Sequence, residues 1–246
     1  MARLRLLSVA KDPSTFALLH RLRPWRGVDV LDIGCGIGSV THELARLSCS
    51  GSVLGLDPDA RVIEEAQVRS SSAEFVCGYL DDLPGSVRFD RIYARYVVSH
   101  QTDPMTFLQQ AKGFLKAGGM LIVEDIDFDG HVCWPSSPSF DRYVELFKAV
   151  VSMRGGDACI GPKLPRMFEA AGLTGVSVDE VTPMFRSGSE MQVAAITLRH
   201  VSESILEQKL IEKESLGDLV SDLEQHCGRE DVLVSLARTF QVWGVS

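Results

Sequence analysis

The residues best suited to chemistry lie in Asp32-Ile33-Gly34-Cys35-Gly36-Ile37-Gly38, an acid followed by three closely spaced glycines. Glycine lets a turn take positive φ and bring backbone N–H groups against a ligand. The dinucleotide fingerprint G-x-G-x-x-G is not met: counted from Gly34 and Gly36, its third glycine position holds Ser39, with Gly38 one place early. Asp32 would repel a pyrophosphate, yet it suits a cationic or amino-bearing group. A second acid, Asp57 in GLDPD, stands where acids of nucleotide-binding sheets accept hydrogen bonds from the two hydroxyls of a ribose. The inferred ligand is a ribose with an attached cation.

The elements that must hold these residues follow from hydrophobic period. Val28 to Ile33 is a short apolar run ending in glycines, which suits a buried parallel strand. Helical spacing covers 40–47, a strand 52–56, a helix 59–69, and strands 74–77 and 91–94. Asp103-Pro104 opens a helix to about 115, a turn at 116–119 ends it, and MLIVE at 120–124 is a fifth buried strand. Five β-α repeats imply an α/β, doubly wound parallel sheet, with its ligand crevice at the carboxyl ends of the strands. Beyond 125 the reading gives helices at 140–153 and 163–171, a strand at 175–181, a helical stretch at 191–227 and a closing strand at 240–245.

With 246 residues the chain is long enough for a full core without disulfide or metal staples. A formal charge of −8 argues against a nucleic-acid partner held through phosphates. The series Arg3, Arg5, Lys11, Arg21, Arg23 and Arg26 has the spacing of a solvated helix face. No apolar run reaches membrane-spanning length and no signal peptide is evident, so a cytoplasmic protein is expected. The six cysteines, at 35, 49, 77, 133, 159 and 227, show no zinc spacing. They are expected to be buried thiols, with no metal and no disulfide.

VLDIGCGIG, GLDPD, FVCGYLDDLP, FDRIYARYVVSH and LKAGGMLIVED occur in this order over about residues 27–128. Together they resemble the successive motifs of class I S-adenosylmethionine-dependent methyltransferases, particularly the small-molecule enzymes of bacterial secondary metabolism. The resemblance implies a Rossmann-like sheet of seven strands, mostly parallel, with helical lid insertions. S-adenosylmethionine would be the cofactor, S-adenosylhomocysteine the product and a small molecule the acceptor, methylated on O, N or C by in-line displacement. Asp32, Gly34, Cys35 and Gly36 would line the methionine end and Asp57, followed by Pro58, would hold the ribose. Leu80 and Asp81 would flank adenine, and the Ala94 backbone would face the cofactor's amino group. The chain departs from the pattern at Tyr79, where relatives often have Asp, so adenine would be read by Asp81 or a backbone carbonyl. The single domain, 1–246, divides into an N-terminal helical lid (1–26), a cofactor-binding core (27–128) and acceptor-side insertions (129–160 and 186–235).

Displacement at a sulfonium needs orientation and dryness, with a base only where the nucleophile must lose a proton. His100 is the first candidate base and His131 the second, both just beyond expected strand ends. Tyr96, Trp134 and Tyr143 are candidates for an aromatic acceptor wall. His20, His42, His200 and His226 have no acid or cysteine at ligand spacing and are expected to face solvent. Leu6, Leu18 and Leu22 suggest a homodimer face along the first helix. Three other readings compete: a protein of the same fold that uses the bound sulfonium in a cyclisation or rearrangement, a nicotinamide-dependent oxidoreductase, and a cofactor-sensing regulator. The displaced third glycine and Asp32 weigh against the oxidoreductase, and the lid insertion against the regulator.

Overall fold

A computed structural model describes residues 2–69 and 72–246. In chain order the elements are α1 (Ala2–Arg21), β1 (Val30–Ile33), α2 (Ser39–Ser48), β2 (Val53–Asp57), α3 (Ala60–Arg69), β3 (Glu74–Cys77), β4 (Phe89–Arg95), α4 (Pro104–Gly113) and β5 (Leu115–Asp127). There follow β6 (Cys133–Trp134), α5 (Pro138–Met153), α6 (Leu164–Ala170), β7 (Thr174–Val181) and β8 (Met184–Phe185). The chain closes with α7 (Val193–His200), α8 (Ser202–Glu207), α9 (Lys213–Cys227), β9 (Leu233–Ser235) and β10 (Arg238–Val245).

Seven strands form one sheet in the order β3-β2-β1-β4-β5-β10-β7. Six run in the same direction, and β10 lies antiparallel between β5 and β7. The α/β reading therefore holds, with the order in which successive strands are added reversing at the β1/β4 boundary. That switch point opens a crevice at the carboxyl ends of those strands. A small second sheet, β6-β9-β8, is antiparallel. It had no counterpart in the sequence reading.

Strand alternation explains the layers. Leu31 and Ile33 of β1, with Ile92 and Ala94 of β4, pack toward α4 and α6. Val30 and Tyr93 pack on the opposite face with Leu18, Leu19, Val40 and Leu44 from α1 and α2. With both faces covered, the central strands must be apolar on both sides. Asp32 stands out for that reason: it is a buried acid on the α1/α2 side of β1, only 2% exposed. A third cluster joins Phe128, Tyr143 and Phe147 to the helices of the 186–235 segment.

One local expectation changes and one is refined. β5 begins at Leu115 and includes the 116–119 stretch expected as a turn, with a register irregularity against β4 between Phe89 and Arg91. The 191–227 stretch, read only as helical, divides into the three helices α7, α8 and α9. Asp103 caps α4 as expected, its carboxylate accepting from the Thr106 N–H at 3.0 Å, with Pro104 at the first position.

The leucines that suggested a homodimer belong to the chain's own interior. Leu18 is buried, Leu22 packs against the α1/α2 core, and Leu6 packs beside Ala10, Val193 and Leu236. The basic series is also not a uniformly solvated face: Lys11 is 3% exposed, because α1 packs on one face of the sheet and Lys11 meets the start of β10. Arg5 remains exposed on Glu65. The cysteines are free thiols, but only Cys35 and Cys227 are fully buried, and Cys49 and Cys77 are exposed. Among the described residues, no helix is long and apolar enough to cross a membrane.

Candidate active site

The loop after β1 is shaped by its glycines. Gly34 has φ +69°, and a Cβ there would collide with Val97 Cγ2. Gly36 has φ +53°, and a Cβ there would meet nothing within 4 Å. One glycine is thus required by the packing behind the loop, and the other leaves an open backbone face toward the crevice. The Gly36 N–H donates to Asp57 Oδ2 at 2.9 Å, while Asp57 Oδ1 accepts from the Asp59 N–H at 3.0 Å. Each carboxylate oxygen keeps a second lone pair for a ligand hydroxyl.

Below this loop, Asp32 Oδ2 accepts from Thr41 Oγ1 at 2.6 Å. Burial pushes the Asp32 carboxyl up to about 7. A cationic group placed against it would compensate that desolvation and restore the carboxylate. The neighbouring Cys35 thiol is pushed upward by burial and by Asp32, so it is held protonated.

These residues border a cavity of about 370 Å³. Its cofactor-side wall includes Asp32, Gly34, Cys35, Gly36, Asp57 and Asp59. Its far wall includes Tyr96, His100, Phe128, His131, Tyr143 and Phe147. The first helix closes one side through Arg3, Leu4, Leu7, Ser8 and Lys11, and the 186–235 segment adds Val193 and Thr197.

Both candidate bases reach this cavity. His131 Nδ1 lies 3.0 Å from the Phe128 carbonyl, which as an acceptor requires Nδ1–H and leaves Nε2 with the lone pair. Its ring stands edge-on to Phe128, with centroids 4.4 Å apart, and burial lowers its pKa to about 4. His100 ends a short 3-10 turn at Val98–His100 and keeps an exposed edge. Its pKa is lowered by the protein packed around the ring and by the positive charges of Arg3 and Arg154.

Tyr96 has φ +59°, a conformation rare for a non-glycine residue, immediately after β4. Its hydroxyl lies 3.1 Å from Thr239 Oγ1. Tyr143 is buried in the wall, and burial raises its hydroxyl's pKa. Trp134 departs from expectation. It is 68% exposed and does not line the cavity. The two-residue strand β6 sits at the edge of the small sheet and leaves the indole outside.

Four expected cofactor contacts lie outside the cavity lining: Pro58, Leu80, Asp81 and Ala94. Pro58 is exposed, Leu80 is buried at the start of a 3-10 turn, and Asp81 accepts from Gln110 Nε2 at 3.0 Å. Ala94 is enclosed within β4, paired with Ile33 and Val123. The Tyr79 N–H donates to Asp82 Oδ2 at 2.7 Å, so Asp82 already takes the backbone donor of that corner.

The remaining histidines also differ from the solvent-facing expectation. His20 Nε2 bonds Glu43 at 3.0 Å, His42 packs edge-on to Phe75, and His226 Nε2 lies 3.4 Å from Cys133 Sγ. Only His200 among these four is exposed. Asp127, Asp129 and Cys159 bring ligand-type atoms within 4.8 Å of one another. Arg238 and Lys148 already neutralise the two acids.

The sequence reading missed Lys11 and Arg3 as site residues. Lys11 Nζ donates to the Ala237 carbonyl at 2.7 Å and to Thr239 Oγ1 at 2.9 Å, and burial lowers its pKa to about 7. The only advance signal was apolar company at helical spacing, Leu6 and Leu7 after Arg3 and Leu7 before Lys11.

Comparison with known proteins agrees with the geometry. Residues 25–187 match a family described as a methyltransferase domain. The O-methyltransferase cnsE of Penicillium expansum is 33% identical over 147 residues, covering 57% of this chain and 52% of that protein. A ubiquinone biosynthesis O-methyltransferase of Bradyrhizobium sp. (strain ORS 278) is 33% identical over 105 residues, 41% of each chain. The chain thus spans about half or less of the length of these curated relatives. In fold it is similar to phosphoethanolamine N-methyltransferase 2 of Haemonchus contortus, with TM-score 0.58 and 20% identity over 94% of this chain and 52% of that one.

Proposed function

The chain belongs to the methyltransferase-domain family, whose class I members use S-adenosylmethionine, and from that premise we propose that it methylates a small organic acceptor of the secondary-metabolite kind. Oxygen is the first choice among O, N and C, because the two curated relatives named above are O-methyltransferases. The observation that carries the reading is one cavity with two unlike ends, the Gly36–Asp57 loop at one and an aromatic, histidine-bearing wall at the other.

The residues present fit the cofactor. Gly36 offers an open backbone face, Asp57 keeps lone pairs for two ribose hydroxyls, and Asp32 is a buried acid whose desolvation an ammonium group would offset. When bound, S-adenosylmethionine supplies a methyl carbon whose bond to sulfur breaks with its electron pair passing to sulfur, leaving S-adenosylhomocysteine. Phe128, Tyr143 and Phe147 exclude water from the acceptor half and fix the plane of a flat acceptor. His131 Nε2 is positioned to receive the proton of an O–H nucleophile, with His100 as the second candidate. In this reading 1–26 is the N-terminal helical lid of the 27–128 cofactor-binding core, and 129–160 and 186–235 are its acceptor-side cover.

Incubation with methyl-labelled S-adenosylmethionine and a panel of phenols, carboxylic acids and amines tests the reading. Label appearing in an acceptor with equal formation of S-adenosylhomocysteine is the expected result. Tight cofactor binding with no label transferred across the panel would favour the cyclisation or rearrangement alternative instead.

A further inference from the structure

The charges around the cavity are sorted by position. Its carboxylates, Asp32, Asp57 and Asp59, stand at or just beyond the ends of β1 and β2. Its cations, Arg3, Lys11 and Arg95, stand on α1 and at the end of β4. Two of these cations are already engaged by the protein. Arg95 bonds Asp12 at 2.9 Å and Thr15 at 3.0 Å, and Lys11 bonds the Ala237 carbonyl and Thr239.

Arg3 differs from both. Its Nε donates to Thr197 Oγ1 at 3.4 Å, and among the described residues it has no carboxylate partner. It is half-buried beside Tyr143, and desolvation is the main influence on its charge. A lysine so placed can shed its proton, but a guanidinium stays charged at any accessible pH. A desolvated cation without a partner is costly, and a ligand anion is the natural compensation.

We propose that Arg3 is the counter-ion for a carboxylate on the acceptor, so that the substrate class is a flat, largely apolar monocarboxylic acid. This rests on the methyl-transfer reading above. With Nε on Thr197, both terminal nitrogens remain to take the two carboxylate oxygens side by side. A monoanion fits better than a phosphate dianion because the other basic groups of this half carry little free charge. Burial lowers the pKa of His100 and that of His131, and Lys11, lowered to about 7, already has two protein acceptors. The stacked pair Phe128 and Phe147, 4.1 Å between centroids, supplies the flat apolar surface for the acceptor's body.

The test uses protein saturated with S-adenosylhomocysteine, titrated calorimetrically with benzoate, 4-hydroxybenzoate and 4-hydroxycinnamate, each beside its primary amide. At least one acid should bind the wild type about tenfold or more tightly than its amide, the scale of a charge-assisted hydrogen bond. Arg3→Gln should lose that preference, Arg3→Lys should keep part of it, and the exposed Arg5→Gln should leave it intact. Affinity for S-adenosylhomocysteine should stay within about twofold in all three variants, since the neighbours of Arg3, Thr197 and Tyr143, belong to the acceptor half of the cavity. The inference is overturned if no acid of the set binds the wild type, or if the acid preference survives in Arg3→Gln. Failure of S-adenosylhomocysteine to bind the wild type would instead remove the methyl-transfer reading, and the same titrations without it would still decide the role of Arg3.

Discussion

Lys11 Nζ donates to Thr239 Oγ1 at 2.9 Å, joining the first helix to the last strand across 228 residues of sequence. The same ammonium holds the Ala237 carbonyl, and its neighbours Arg3, Leu7 and Ser8 border the cavity. Docking of α1 on β10 therefore completes the site wall, and the cavity's shape depends on both ends of the chain.

Lys11 makes that docking pH-dependent. Its folded pKa of about 7 lies below the unfolded value of 10.5, so between those values the unfolded chain binds more protons and stability rises with pH. Glu124 opposes the shift and Arg95 adds to it, after burial. Urea unfolding of wild type and Lys11→Met at pH 7 and pH 9 should show the difference moving in favour of wild type by about 1 kcal/mol or more at the higher pH. A difference that is flat with pH would mean that Lys11 is charged in the folded state throughout.

Asp57→Ala should weaken S-adenosylhomocysteine binding by about ten- to a hundredfold, the cost of losing charge-assisted bonds to the ribose. Asp57→Asn should retain part of the affinity, because an amide oxygen still accepts. Calorimetry reads both, with thermal unfolding alongside, since the Gly36 and Asp59 N–H groups also lose their acceptor. Unchanged affinity in the alanine variant would move the ribose elsewhere.

Most of the sheet was legible because its strands are short apolar runs punctuated by glycine and proline. β3 ran from Glu74 to Cys77 as read, and β2 and β7 fell within a residue of it at each end. The β6-β9-β8 sheet was not legible, because two or three residues such as Cys133–Trp134 carry no period. The gathering of Asp32, Gly34, Gly36 and Asp57 on one cavity was legible because local turn chemistry and strand ends fix their positions. Arg3 and Lys11 were not, since helical spacing says which residues share a face and not what that face meets. Trp134 failed in the opposite sense: only three residues after His131 in sequence, it lies on the two-residue strand β6 at the edge of the small sheet, which leaves its ring exposed.

Asp32 should couple cofactor binding to pH. Its carboxyl, raised to about 7 by burial, must ionise to pair with an ammonium group. Affinity for S-adenosylhomocysteine should therefore increase from pH 6 to pH 8, with proton release near pH 7 measurable as a buffer-dependent binding enthalpy. In Asp32→Asn both the pH dependence and the proton release should disappear. Retention of both would assign them to another group.

Gly34→Ala and Gly36→Ala should separate packing from binding. Both positions have positive φ, so each substitution costs about 1 kcal/mol or more in backbone strain. At Gly34 the added methyl also collides with Val97, so the larger loss of thermal stability belongs there. At Gly36 the methyl enters open cavity, so stability should fall less while S-adenosylhomocysteine affinity falls more. Equal losses of affinity at the two positions would show that Gly36 does not face the cofactor.

The two histidines can be distinguished by rate once an acceptor is found. His131 has its tautomer fixed by the Phe128 carbonyl and a pKa of about 4, so it remains a neutral acceptor down to mildly acidic pH. If it takes the proton of an O–H nucleophile, kcat in His131→Ala should fall about a hundredfold, the scale of general base catalysis, with the KM for cofactor unchanged. The wild-type rate should then stay level from pH 8 to pH 5.5, because His131 is not lost by protonation in that range. His100→Ala should alter mainly the acceptor KM, since that ring borders the cavity with an exposed edge and no fixed tautomer. The reverse pattern, with kcat lost in His100→Ala and retained in His131→Ala, would assign the base to the turn after β4, and a rate indifferent to both would leave the proton to water.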